Sequence, residues 1–304
     1  MVSLAGKAIW SNQRSITEKQ KNRGGMLAKR ITTAAILLLV LVVELSIEPK
    51  WPLLLFLSLA VGVAAYEWLR LTLPRQRLLA VVAGLVMLGL TVAQGWQWQL
   101  DPMSFRGFFY ICVIISAITW LFVIPAMIFR GHDLSGPLSG WAFFAPVCLF
   151  ATWGVLADLW IGGGAWPLIS LLVVIWIADI FAYFGGRQFG RNKLAPTISP
   201  GKTREGALIG LTGVLIWMMA SSQWADSFAA QVLSHWGWLG LVLSALVLGV
   251  VSVLGDLFES LLKRAAGVKD SGRLLPGHGG VYDRVDAVVA VVPVAYLLIS
   301  DFWY

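Results

Sequence analysis

The chain has 304 residues, of which 58% are hydrophobic and 13% charged, with a mean hydropathy of +0.78 and a formal net charge of +7. A water-soluble domain carries about 25% charged residues, so the composition excludes an ordinary soluble fold and makes a bilayer the expected solvent. Two cysteines, both inside apolar runs, and three widely spaced histidines exclude a disulfide framework and a zinc site.

Residues 1–28 are polar, basic and aperiodic, and read as a disordered cytoplasmic tail. Apolar runs then predict spans at 31–47, 52–70, 78–94, 108–129, 138–160, 166–185, 206–223, 237–260 and 287–300. The expected fold class is therefore all-α: a polytopic integral membrane protein of about nine transmembrane helices with its N-terminus in the cytoplasm. The first span lacks a small-residue cleavage site and reads as a retained anchor. We divide the chain into the tail, N-terminal transmembrane helices over 29–165 and a C-terminal transmembrane catalytic region over 166–304. No internal repeat is apparent.

Orientation follows from the basic residues. With the N-terminus inside and the spans alternating, every Lys and Arg except Lys50 and Arg106 falls on the cytoplasmic side. This distribution, rather than nucleic acid binding, accounts for the net charge. Trp51, Trp68, Trp96, Trp98, Trp160, Trp166, Trp224, Trp236, Trp238 and Trp303 lie near the proposed span ends, where an indole prefers the headgroup level. Cys112 and Cys148 read as packing residues.

Three segments carry ionisable residues in or beside spans, where such residues are costly and mark sites by default. All three converge on the cytoplasmic side. Within the sixth span, Asp179, Tyr183 and Gly186 share one helix face; a single Asp can also simply hydrogen-bond a neighbouring helix. The loop 185–206, with Ser199, Lys202 and Thr203, offers backbone N–H groups, hydroxyls and cations suited to phosphate oxygens. It lacks P-loop spacing, and a basic loop touching anionic lipid has the same composition.

The third segment is the richest. Ser252, Asp256, Glu259, Ser260 and Lys263 form a polar stripe on an otherwise apolar helix. Asp283 and Asp286 follow at the start of the last span. If the two helix ends pack together, Asp256, Asp283 and Asp286 converge beside Lys263, Arg264, Lys269 and Arg284, as in a metal–phosphate site. Interlocking salt bridges are the alternative reading. The glycines of Pro276-Gly-His278-Gly279-Gly280 permit close backbone approach to a ligand.

The run Ser260-Leu-Leu-Lys263-Arg264-Ala-Ala-Gly-Val-Lys269-Asp270, continuing through Pro276-Gly277-His278-Gly279-Gly280-Val-Tyr-Asp283-Arg284-Val-Asp286, resembles the signature of the CDP-diacylglycerol synthase (phosphatidate cytidylyltransferase) family. The upstream pattern from Asp179 and Tyr183 through Gly190, Leu194, Pro196, Ser199, Pro200, Lys202, Thr203, Glu205 and Gly206 is also similar. The resemblance covers the chain from about residue 175 onward; before it, only the apolar spans agree. It implies a bacterial inner-membrane enzyme, active at the cytoplasmic face, that makes CDP-diacylglycerol and pyrophosphate from CTP and phosphatidate. It implies Mg²⁺, with K⁺ as a second metal, and a homodimer.

Residue by residue, the resemblance implies Asp256 and Asp283 as metal ligands and a Lys263–Asp286 relay. Asp179, Ser199, Lys202, Thr203, Ser260, Arg264, Lys269, Asp270, His278, Gly279, Gly280 and Arg284 are expected to bind substrate or phosphate. Two departures stand out. Residues 1–25 precede Met26, where the usual family start is matched, and Ala287 stands where a Ser is common. The rivals are a paralogue that cytidylylates another lipid phosphate and a membrane transporter. A transporter would place its charges near the midplane, in paired repeats. The D-G-x-x-A-R pattern of CDP-alcohol phosphotransferases is missing.

Overall fold

In lipid no water is available to backbone N–H and C=O groups, so apolar runs of this length satisfy themselves as helices. The computed structural model describes residues 50–101, 104–129, 139–275 and 279–299, with Leu39 and Val43. The helices are α1 (Trp51–Thr72), α2 (Arg77–Leu100), α3 (Arg106–Phe129), α4 (Ser139–Asp158), α5 (Ala165–Phe189), α6 (Arg204–Ser221), α7 (Phe228–Ala265) and α8 (Tyr282–Tyr296). Single π-helical turns interrupt α3 at Thr119–Val123 and extend α4 through Leu159–Gly163.

Six of these helices (α1 to α5 and α7) are long and apolar enough to cross a bilayer. The chain is thus a largely helical, integral membrane protein. The runs at 206–223 and 287–300 correspond to the shorter α6 and α8, and the run at 31–47 lies outside the described residues apart from helical Leu39 and Val43. Helix α7 breaks at Gly237 (φ 64°, ψ −174°), so its membrane-long part begins where the sequence places that span.

Helix α8 is the hub, packing on α1, α3, α4, α5 and α7. A buried aromatic cluster ties several of these together. Trp68 of α1 lies 4.8 Å from Tyr282 of α8 and 5.8 Å from Phe258 of α7, and Trp120 of α3 lies 5.5 Å from Phe258. Helices α5 and α6 approach through small residues. A Cβ on Gly206 or Gly210 would come within 2.7 or 2.8 Å of the carbonyl oxygens of Ala182 and Ala178, the close packing that small-residue stripes permit in membranes.

The tryptophans near the proposed span ends differ in exposure, Trp166 being half-buried. Trp51, Trp96, Trp224, Trp236 and Trp238 are exposed, as an interfacial belt requires, whereas Trp68, Trp98 and Trp160 are buried packing residues. Trp303 lies outside the described residues. Both cysteines are free and buried, and Cys148 Sγ accepts from Trp120 Nε1 at 3.1 Å.

Candidate active site

The ends of α1, α5 and α7 and the starts of α6 and α8 meet at one end of the bundle. The segment between α5 and α6, expected to be a loop, contains an antiparallel hairpin of β1 (Lys193–Ala195) and β2 (Ser199–Thr203). Two local devices fix it. Thr203 caps α6, its Oγ1 accepting from Gly206 N at 3.2 Å. Glu205 accepts from the backbone N–H groups of Arg191 (3.0 Å) and Asn192 (3.1 Å) and from Asn192 Nδ2 (2.7 Å). Its own backbone N–H and that of Arg191, with help from Asn192, hold the Glu205 carboxyl down at about 2.

The hairpin delivers Lys202 to α7, where its Nζ lies 2.7 Å from Asp256 Oδ2. Ser260, one turn on, donates to Asp256 Oδ1 at 3.3 Å. Lys202, Asp256, Asp179, Ser199 and Thr203 line one cavity of about 470 Å³ between α5, the hairpin, α6 and α7. The structure therefore brings together residues that the sequence placed in three separate segments.

Helix α8 closes against α7 at Gly255, where a Cβ would meet the Asp286 carbonyl oxygen at 2.7 Å. This contact sets Asp286 beside Asp256. Among the described residues, Asp256, Glu259 and Asp286 each offer a carboxylate oxygen, all within 4.8 Å of one another. Glu259 is buried; its Oε2 lies 2.6 Å from Lys263 Nζ, and its Oε1 meets no N–H or hydroxyl donor among the described residues. A buried carboxylate oxygen left without a donor is costly. Three convergent oxygen donors with one unsatisfied member suit a hard divalent cation such as Mg²⁺.

Asp283 lies outside this group. Its oxygens accept from Lys263 Nζ (2.9 Å), Ser271 N (3.0 Å) and Gly280 N (2.8 Å). Burial would raise this carboxyl, but hydrogen bonds with the neighbouring Glu259 carboxyl first, then with Lys263 and the Gly280 N–H, outweigh it and hold Asp283 well below the usual carboxylate range. Lys263 thus has Glu259 and Asp283 as its carboxylate partners, where the resemblance led us to expect Asp286.

The remaining expected residues spread around this centre. Arg264 is exposed and donates from Nε to the Ile198 carbonyl of the hairpin at 3.5 Å. Lys269 and Asp270 line a second cavity, of about 600 Å³, with Arg70 and Arg273. Gly279 adopts φ +83°, its carbonyl accepting from Leu275 N at 2.9 Å. Arg284 is exposed, and His278 lies outside the described residues.

Two carboxylates escaped the sequence reading. Glu259 belongs to the polar stripe of α7, and its i, i+4 relation to Lys263 is the signal in the sequence that points to it. Glu67, 2% exposed on α1, is a further in-span ionisable residue outside those three segments. Its presence in an apolar run was the only clue.

The Cytidylyltransferase family model matches residues 28–302 of this chain. The chain belongs to that family. A phosphatidate cytidylyltransferase of Pseudomonas aeruginosa is 34% identical over 287 residues, covering 91% of this chain and 99% of its own length. One of Brucella melitensis is 36% identical over 256 residues, covering 81% of this chain and 83% of its own. One of Haemophilus influenzae is 42% identical over 130 residues, 43% of this chain and 44% of its own. Membership of the cytidylyltransferase family makes the chain a nucleotidyltransferase, and the match spans the spans before the site as well as the site itself.

Proposed function

We propose that this chain transfers the cytidylyl group of CTP to phosphatidate, releasing pyrophosphate and leaving CDP-diacylglycerol in the membrane. A phosphate oxygen of phosphatidate attacks the α-phosphorus of CTP. The bond from that phosphorus to the β-phosphate bridging oxygen breaks, and pyrophosphate leaves. Both reactants are anions, so the site must offset their repulsion without neutralising itself. The observation that carries this reading is the carboxylate group of Asp256, Glu259 and Asp286, with a Glu259 oxygen that meets no donor among the described residues, set between two half-buried lysines. The names of the relatives over most of the chain support the choice of substrates.

In this proposal Asp256, Glu259 and Asp286 would hold Mg²⁺, which would supply positive charge at the transferring phosphoryl oxygens. Lys202 is held at the rim of the cavity by Asp256 and is poised to meet a phosphate there. Lys263, paired with Glu259 and Asp283, supplies positive charge beside the carboxylates. Asp283 serves the site by orienting Lys263 and the glycine-rich segment, not by direct ligation. Ser199 and Thr203 contribute hydroxyl groups to the cavity wall, and Lys269 faces the second, basic cavity.

We place the N-terminus and the site on the cytoplasmic side of a bacterial inner membrane, with nine spans in all. The basic-residue distribution supports this. Cytosolic CTP and membrane phosphatidate then meet at one end of the bundle. Purified protein offered CTP with phosphatidate, lysophosphatidate or an isoprenyl phosphate should convert phosphatidate by far the fastest. Preference for another lipid phosphate would transfer the chemistry to that lipid.

A further inference from the structure

Glu67 is a buried carboxylate on a membrane-spanning helix, and no Lys or Arg among the described residues pairs with it. Such a group is expensive to retain, so its partners are informative. Its Oε2 accepts from Ser271 Oγ at 3.0 Å and from Tyr282 N at 2.8 Å. Tyr282 is the first residue of α8, and the residue before it, Val281, has no side chain able to cap a helix. The orphan N–H at the start of α8 is therefore satisfied by a carboxylate from another helix, at the end where the helix dipole favours an anion.

The backbone wraps this carboxylate closely. A Cβ on Gly272 or on Gly280 would collide with a Glu67 oxygen. Gly280, which the sequence offered as a point of approach to a ligand, approaches a carboxylate of the chain itself. The same wrapped segment then reaches the site. The N–H groups of Ser271 and Gly280 donate to Asp283, and Asp283 holds Lys263.

We propose that Glu67 is a positioning residue: from α1 it clamps Ser271 and the start of α8, and through them sets Asp283, Lys263 and Asp286 in their working places. The kinetic consequence rests on the cytidylyl transfer proposed above; the clamp itself does not.

The test uses full-length protein in lipid nanodiscs, as wild type, Glu67→Gln and Ser271→Ala. Amide hydrogen exchange is read over 271–275 and 279–285, and kcat and KM are measured for CTP and phosphatidate. In Glu67→Gln, exchange at Tyr282 and Asp283 should quicken and kcat should fall about 10- to 100-fold, the range for losing a partner behind a metal or catalytic group. KM should stay within about twofold, because the substrates' own contacts are untouched. Ser271→Ala removes one hydrogen bond to Glu67 while keeping the carboxylate itself. It should move both readouts in the same direction, with a loss of about 3- to 10-fold in kcat, and it decides the matter if Glu67→Gln does not fold. Wild-type exchange, or a wild-type kcat per folded molecule, in folded variants would overturn the proposal. If the wild-type protein itself makes no CDP-lipid, the proposed reaction fails, and the exchange data alone still decide whether Glu67 clamps α8.

Discussion

Asp256 and Asp286 are separated by 30 positions, yet their oxygens share one small volume with those of Glu259. Replacing either Asp by Asn keeps the shape and removes the charge. Asp256→Asn and Asp286→Asn should each lower cytidylyl transfer about 100-fold or more, as expected for losing a metal-binding carboxylate, with membrane-inserted protein levels unchanged by immunoblot. Retention of most activity would remove that carboxylate from the metal site. Although Asp283 was expected with them and Glu259 was not, the approach of Asp256 to Asp286 was legible in the sequence, because so apolar a chain concentrates its charges where they work. The pairing was not. Which Asp faces Lys263 is decided by backbone N–H groups of Ser271 and Gly280, which saturate Asp283. Glu67 was missed because its partners lie more than 200 positions away, beyond any local pattern.

Among the elements, the hairpin between α5 and α6 departs most from expectation. Its strands have three and five residues, too short for a period to show, and Pro200 lies within β2. A two-stranded sheet leaves each strand a free edge, so the missing N–H of proline does no harm there. Glu205 anchors the base of this hairpin and so sets the reach of Lys202 toward Asp256. Because its folded value is depressed, its anchoring contribution is present above the ordinary carboxylate value of 4.5 and fades as pH falls toward about 2. Exchange protection of the Arg191 and Asn192 amides, corrected for intrinsic rates, should therefore hold from neutrality to the mid-4s and drop below. Glu205→Gln should weaken that protection at neutral pH and lower kcat/KM about 3- to 10-fold. Protection that is indifferent to pH and to the substitution would remove Glu205 from this role. The long helices were legible because apolar length alone specifies them. The break in α7 coincides with the predicted start of its span, since Gly237 is where the helix turns.

On the scale of the whole molecule, the sequence already divides the chain into a basic end and an end almost free of Lys and Arg. The structure adds that α8, short and central, joins the N-terminal helices to the site. At the opposite end, Arg106 pairs with Asp158 at 2.8 Å and Asp158 accepts from Tyr296 Oη at 2.7 Å, closing the bundle away from the chemistry. The proposed orientation predicts that single cysteines introduced into an otherwise cysteine-free chain at Arg75 and Gly201 react with an impermeant thiol reagent only after cells are broken. One at Gln223 should react in intact spheroplasts. The reverse pattern would invert the protein in the membrane. The central claim is tested most directly by supplying purified protein with CTP labelled in the cytosine ring and extracting the lipid phase. Label should enter a lipid-soluble product only when phosphatidate and Mg²⁺ are both present, with pyrophosphate released in equal amount; label that stays wholly in the aqueous phase under those conditions would contradict it.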